Sequence, residues 1–301
     1  MNFKLEPEKI DTLIQLAIQE DIGDGDITTE SLTPDSLIAE GSFIAKEGGV
    51  IAGLPVVEYF FSKLDKGVSL KRNVRDGTFI KKGENIASIK GRAKTLLSGE
   101  RIALNFLQRL SGIATLTAQF VERIKPLKTA IMDTRKTVPG LRYLEKYAVA
   151  MGGGVNHRMG LYDQVLIKDN HLDILKVETG LKPVSTSIIE KAVSALRQKI
   201  KKGILVEVET RTLDEVKDAL KAGVDIILFD NMNIAQLEEV VKMVKNRKPS
   251  KGKYKPLTEA SGNITLENVH LVAQTGVDRI SVGTITHSAK ALDISLEISR
   301  N

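Results

Sequence analysis

The chain contains no cysteine, which excludes a disulfide framework, a thiolate nucleophile and any cysteine-ligated metal, and favours a reducing, intracellular setting. Long apolar runs are also missing. Nothing approaches the ~18 uninterrupted apolar residues of a membrane span, and MNFKLEPEKIDTLIQ lacks the basic patch and apolar core of a secretory signal. The expectation is a cytoplasmic protein with no membrane association. Aromatic residues make up only 4% of the sequence. A surface that stacks nucleic-acid bases interleaves aromatics with basic residues, so a net charge of +6 does not by itself argue for such a partner.

The charge is also local. Between Glu239 and Glu259 lie Lys242, Lys245, Arg247, Lys248, Lys251, Lys253 and Lys255 with no acid, and without them 37 basic residues face 38 acidic ones. Only Tyr254 is aromatic there, and the Pro, Gly and Ser content of KNRKPSKGKYKPL describes a solvated connection between a helix and a strand.

What is present suits one large α/β domain or two smaller ones: 301 residues, 42% of them hydrophobic. Ile10, Leu13, Ile14, Ala17 and Ile18 recur at helical spacing until Gly23 and Gly25 interrupt them. From about residue 37 to 90 the texture changes to short strands joined by glycine turns. Residues 92–111 return to a helical pattern, a second helix is expected from Gly112 to about Lys125, and a domain boundary is placed near 112.

Beyond it, apolar strands alternate with helices: TAIM (129–132), QVLI (164–167), ILVEV (204–208), DIILF (225–229), PLTE (256–259) and RISV (279–282), with helices at 187–201, 212–222, 233–246 and 264–275. Polar residues recur where these strands end: Asp133, Arg135 and Lys136, then Lys168, Glu209, Asp230, Ser261 and Gly262, and Gly283 and Thr284. A β/α barrel gathers such ends at one mouth; an open doubly wound sheet gathers them at one edge. No GxGxxG follows a first strand, which lowers a dinucleotide reading.

The block from Asp133 to His171 concentrates Arg135, Lys136, Arg142, Lys146, Arg158 and Lys168. Arginine forks match carboxylates and phosphates, and lysine serves phosphate as a point charge, so the block implies a multiply anionic ligand. Arg142, Glu145 and Lys146 could equally be surface ion pairs across a helical turn. His157 fits a hydrogen bond to an anionic substrate, whereas His171 suits a turn cap. The lack of HxH or HExxH spacing argues against zinc. Glu207 and Glu209 share one face of their strand, and with Asp230 they could bind Mg²⁺ or stabilise a cationic transition state; an ion pair with a nearby lysine is the plainer reading. EASGN (259–263) and SVGTITHS (281–288) offer amides and hydroxyls at helix starts, a phosphate-site pattern. GGG at 152–154 reads as readily as a flexible turn.

Together EDIGDGDITT (20–29), GERIALNFLQRLSGIAT (99–115), DTRKTVPGLR (133–142), EKYAVAMGGGVNHRMGLYD (145–163), LIKDNH (166–171), VEVET (206–210), LFDN (228–231), EASGN and SVGTITHS resemble the quinolinate phosphoribosyltransferase family over nearly the whole chain. The resemblance implies an N-terminal α/β sandwich (1–112, completed by about 285–301) and an incomplete, open β/α barrel carrying the active site (113–284). It implies phosphoribosyl transfer from phosphoribosyl pyrophosphate to quinolinate with decarboxylation, aided by Mg²⁺, in a homodimer or an assembly of dimers.

By matching motif positions, Arg135, His157 and Arg158, beside Thr134, hold the quinolinate carboxylates, joined by Arg101 from the neighbouring subunit. Lys136 and Lys168 serve the pyrophosphate side and the substrate carboxylates. Glu209 and Asp230 hold ribose hydroxyls with Mg²⁺, and Ser261, Gly262, Asn263, Ser281 and Gly283 form a 5′-phosphate cradle. Val138 stands where relatives commonly have threonine, and the lysine-rich stretch is longer than the family needs. A nicotinate phosphoribosyltransferase or a molybdenum-associated homologue are the neighbouring enzyme readings; both need fewer cations than Arg101, Arg135, Arg158 and His157 supply.

These assignments make Arg135→Ala far more damaging than Arg142→Ala. Loss of a charged partner to a bound anion should lower kcat/KM by roughly 10- to 100-fold or more at 135 and leave 142 near wild type. Equal losses in steady-state assays would show that the wrong cations were assigned to the ligand.

Overall fold

The computed structural model describes residues 3–179, 187–247 and 255–299, so residues 248–254 of the lysine-rich segment lie outside the described residues. Its strands are β1 (Ile38–Ala45), β2 (Gly49–Val50), β3 (Ser69–Arg72), β4 (Phe79–Ile80), β5 (Asn85–Arg92), β6 (Ala130–Met132), β7 (Val165–Ile167), β8 (Val206–Thr210), β9 (Ile226–Asp230), β10 (Leu257–Ser261), β11 (Arg279–Ser281) and β12 (Ile294–Ser299). The chain divides into two compact units, one of Met1–Gln119, Lys136–Val155 and Gly283–Asn301, the other of Phe120–Arg135 and Asn156–Val282.

In the first unit an antiparallel sheet runs in the order β12-β1-β5-β3. Alternation along β1 turns Ala39, Phe43 and Ala45 into the core, where Phe60 and Phe61 of helix Leu54–Leu64 are also buried. Arg109 ties separate stretches of this unit together. Its guanidinium pairs with the buried Glu145 (2.7 Å) and donates to the carbonyls of Thr286 (2.6 Å) and Ala289 (3.1 Å). Glu145 in turn accepts the backbone N–H of Val138 at 3.3 Å. Removing one member of a buried pair of this kind costs about 3–5 kcal/mol.

Where two helices were expected to meet at Gly112, a single helix runs from Ala93 to Arg123. Glycine lowers helix propensity but does not end a helix that tertiary packing holds. Its role here is close approach: a side chain at 112 would collide with the carbonyl group of Lys290. The glycines at 152–154 form a turn, with φ of 85° at Gly153, and close approach adds to the requirement: a side chain at Gly152 would meet Ala114 and Thr117, and one at Gly154 would meet Thr117 and Val149.

The second unit is a six-stranded parallel sheet in the order β6-β11-β10-β9-β8-β7. Strands β7 to β11 are neighbours in sequence order and β11 returns to β6, whereas β6 and β7 form the two edges. This is an open β/α barrel. Val206, Val208, Ile227 and Phe229 are completely buried, each contributing about 1.5–3 kcal/mol. The helices between strands start at sequence-encoded caps: Thr212 with Glu215, and Asn233 with Gln236, form reciprocal capping boxes.

Gly112→Ala therefore tests close packing rather than helix propensity, which alanine would improve. The collision should cost about 1–3 kcal/mol in urea unfolding; an unchanged or raised midpoint would count against it.

Candidate active site

Parallel register sets the site in layers. Asp230, Ser261 and Ser281 pair across β9, β10 and β11, while two residues earlier Glu209, Leu228, Glu259 and Arg279 form the next level and Glu207 the one below. The period of two puts these on a common face.

At the upper level the loops after β9 and β10 interlock. Ser261 Oγ donates to Asp230 Oδ1 (3.2 Å), Asn231 Nδ2 to Asp230 Oδ2 (3.0 Å), and Asn263 Nδ2 to Asn231 Oδ1 (3.1 Å). Asn231 and Asn263 hold φ of 56° and 51°, a left-handed conformation that marks functional loops. Gly262 has φ +96°, and a side chain there would strike Asn231. The helix expected to begin directly after EASGN starts only at Val269, because Asn263 turns the chain and Asn268 Oδ1 accepts from the Thr265 N–H (2.9 Å). The chain beyond Ser261 thus presents a loop, not a helix N-terminus.

At the middle level lie carboxylates and cations. Lys168 Nζ is 3.7 Å from Glu209 Oε2. Arg211 reaches Asp169 (2.8 Å), Asp230 (3.4 Å) and Glu209 (3.7 Å). Burial pushes the Glu209 carboxyl above its ordinary range; Asp230 and Asp169 add to the rise and Lys168 and Arg211 oppose it. Hard oxygen donors brought together around one cation are the set that Mg²⁺ prefers, so these residues fit such an ion. The cation position is now taken by the guanidinium of Arg211.

Glu207 and Glu259 are completely buried. His157, its side chain 7% exposed, points Nε2 at Glu207 Oε2 (3.1 Å) and Glu259 Oε1 (3.5 Å), and its Nδ1 accepts the Arg158 N–H at 2.7 Å. That acceptor role puts the ring hydrogen on Nε2. The donor atoms of this trio lie within 4.8 Å of one another, but an N–H aimed at the carboxylates is a hydrogen-bond donor and not a metal ligand. A histidine with a nitrogen turned to substrate was expected; both nitrogens instead meet protein atoms, because the interior glutamates draw the N–H inward. Glu259 also accepts from Ser281 Oγ. Arg158 donates to the Gln164 carbonyl at 3.1 Å. Burial lowers its pKa, with nearby Arg135 adding to the drop and Glu207 and Asp163 opposing it.

Thr134, Arg135, His157, Arg158, Lys168, Glu209, Asp230, Ser261, Gly262, Asn263 and Ser281 all belong to the second unit; Arg101, Lys136 and Gly283 belong to the first. There the Lys136 carbonyl accepts from Thr286 Oγ1 (2.7 Å), and the Lys136 side chain passes over Gly283. Arg101 is exposed on its helix. The surface-pair reading of Arg142, Glu145 and Lys146 is corrected: Arg142 donates to Thr137 (2.9 Å), Glu145 pairs with Arg109, and Lys146 is completely buried. His171 Nδ1 accepts the Lys168 N–H at 3.0 Å and so caps the turn as expected. Sequence reasoning missed Arg211, Asp169 and the carboxylate of Glu259. The available signals were a cation one residue past β8, an acid in LIKDNH, and acids set within otherwise apolar strands.

The family model described as "Quinolinate phosphoribosyl transferase, C-terminal domain" matches residues 113–297, and its N-terminal counterpart matches residues 26–111. The chain is 43% identical over 280 residues to a probable nicotinate-nucleotide pyrophosphorylase [carboxylating] of Bacillus subtilis, covering 93% of this chain and 90% of that one. It is 41% identical over 305 residues to quinolinate phosphoribosyltransferase [decarboxylating] 1b of Nicotiana tabacum, covering 95% and 81%. The crystal structure of NadC from Streptococcus pyogenes superposes with a TM-score of 0.89 at 36% identity over the full length of both chains.

Burial and the neighbouring Glu207 raise the Glu259 carboxyl from 4.5 to about 7, against opposing effects of His157, Ser281 and Arg279. Between those values the folded chain keeps a proton that the unfolded chain has released, so this group's contribution to stability falls as pH rises through the window. Glu259→Gln should melt a few degrees above wild type at about pH 8, with the gap closing toward about pH 5. Parallel melting curves at all pH values would show that Glu259 does not titrate there.

Proposed function

The chain belongs to the quinolinate phosphoribosyltransferase family, and from that premise we infer how its residues divide the work. It transfers phosphoribose from phosphoribosyl pyrophosphate to quinolinate, giving nicotinate mononucleotide, pyrophosphate and carbon dioxide in de novo NAD biosynthesis. One observation supports our site assignment most directly: the buried Arg158 guanidinium lies near that of Arg135, and a pair of such forks suits a dicarboxylate.

In our reading Arg135 and Arg158, with Thr134 and the wall formed by His157, bind the carboxylates of quinolinate, and Arg101 of the partner subunit completes the clamp. Lys136 and Lys168 neutralise pyrophosphate oxygens and steady the substrate carboxylates. Glu209 and Asp230 hold the ribose hydroxyls, and Ser261, Gly262, Asn263, Ser281 and Gly283 cradle the 5′-phosphate. Glu209 and Asp230, with Asp169 beside them, would also hold Mg²⁺, which when bound supplies positive charge to the departing pyrophosphate.

The ring nitrogen displaces pyrophosphate from the anomeric carbon through an oxocarbenium-like state, next to which the carboxylates of Glu209 and Asp230 supply negative charge. The new pyridinium then accepts the electron pair left when the adjacent carboxylate departs as carbon dioxide, and a proton from solvent completes the ring. No covalent enzyme intermediate is required; orientation and fixed charge carry the catalysis. We assign the protein to the cytoplasm and to a homodimer, alone or as an assembly of dimers.

With Mg²⁺ and phosphoribosyl pyrophosphate, quinolinate should yield nicotinate mononucleotide with stoichiometric carbon dioxide, and nicotinate should be a poor acceptor. No carbon dioxide from quinolinate, or faster turnover of nicotinate, would overturn the assignment.

A further inference from the structure

Glu207 is buried in the barrel interior, where an ion costs several kcal/mol and a well-packed apolar residue is often as stable or more so. Its Oε2 accepts from two donors, the Nε2–H of His157 at 3.1 Å and the side-chain amide of Gln164 at 2.7 Å. The backbone carbonyl of that same Gln164 receives the Arg158 guanidinium at 3.1 Å. Glu259 stands beside Glu207 as a longer second acceptor for the ring at 3.5 Å, and Ser281 occupies the same Glu259 oxygen. Two further bonds fix the backbone of this pair: the His157 N–H donates to the buried Asp133 carboxylate at 2.8 Å, and the Arg158 N–H to His157 Nδ1 at 2.7 Å.

We infer that Glu207 is a positioning residue of the quinolinate clamp, holding the His157 ring with one hydrogen bond and, through Gln164, the Arg158 guanidinium with the other. The inference rests on the assignment of His157 and Arg158 to quinolinate given above. Glu207 touches no reacting atom in this account. With the Arg158 N–H on Nδ1 it fixes the ring tautomer, and through Gln164 it sets a single direction for the guanidinium fork, so that the clamp is formed before its ligand arrives. Fixing a polar group in advance removes the ordering cost that binding would otherwise bear. Specificity for the dicarboxylate follows, because a fork held at one angle meets a second carboxylate only where quinolinate carries it.

The test uses two substitutions in the full-length enzyme. Glu207→Leu removes both acceptors, while Glu207→Gln keeps an acceptor oxygen and the side-chain volume and removes only the charge. Glu207→Leu should raise the KM for quinolinate by roughly 10- to 100-fold, the equivalent of one or two hydrogen bonds to charged or buried partners. It should leave the KM for phosphoribosyl pyrophosphate within about twofold, within the spread of additive distant effects. Glu207→Gln should stay near wild type. Nitrogen NMR of histidine-labelled protein should show His157 as one Nε2–H tautomer in wild type and Glu207→Gln, and as a mixture in Glu207→Leu. The inference is overturned by an unchanged quinolinate KM in Glu207→Leu, by an equal rise for both substrates, by Glu207→Gln behaving like Glu207→Leu, or by one tautomer in all three proteins. Failure of the wild-type enzyme to use quinolinate would instead defeat the underlying assignment.

Discussion

The register between the parallel strands is the constraint on which the chemistry at the barrel mouth depends. Glu207, Glu209, Asp230, Glu259, Ser261 and Ser281 reach one another because β8, β9, β10 and β11 pair as they do. A slip of one residue would turn every one of them to the other face. Val206, Val208, Ile227 and Phe229 would then exchange places with them, putting carboxylates where these apolar side chains now pack. The apolar alternation is thus what pins the polar one. The cost of burying two carboxylates is met by the burial energy of residues one step along the same strands.

Charge in the second unit is organised as two opposed arrangements. In one, a cation stands among acids: Arg211 lies between Asp169, Asp230 and Glu209. In the other, acids stand behind cations: Glu207 opposes the lowering of the Arg158 pKa by burial and Arg135. The first arrangement suits sugar hydroxyls and a hard metal ion, the second suits an aromatic dicarboxylate.

Much of this was legible in the sequence because it was periodic. TAIM, QVLI, ILVEV, DIILF, PLTE and RISV each overlap a strand of the barrel, and the polar residues at their ends identified the mouth. The helices after β8 and β9 were equally visible, since Thr212 with Glu215 and Asn233 with Gln236 are local signals. What escaped was tertiary. Gly112 reads as a break because only the fold brings the Lys290 backbone against it. The delay between Asn263 and the helix at Val269 depends on a loop conformation rather than on composition. Glu207 and Glu259 were visible as acids, yet nothing in their spacing pairs residues of non-adjacent strands with His157. Arg211 likewise acquires meaning only once the strand ends converge.

The sheet of the first unit is built from both ends of the chain. β12 lies antiparallel against β1, from Glu40 opposite Ser299 to Ala45 opposite Ile294. During synthesis β1 leaves the ribosome before its partner, which follows only after every barrel strand has emerged. The hydrogen-bonding edge of β1 that β12 will cover is therefore open until β12 emerges, an invitation to pairing with other nascent chains. Among the barrel strands β7 to β11 follow one another in sequence order, and only β6 waits in the same way, for β11. Emergence of β12, rather than of the segment that holds β1, β3 and β5, is the event that completes this sheet.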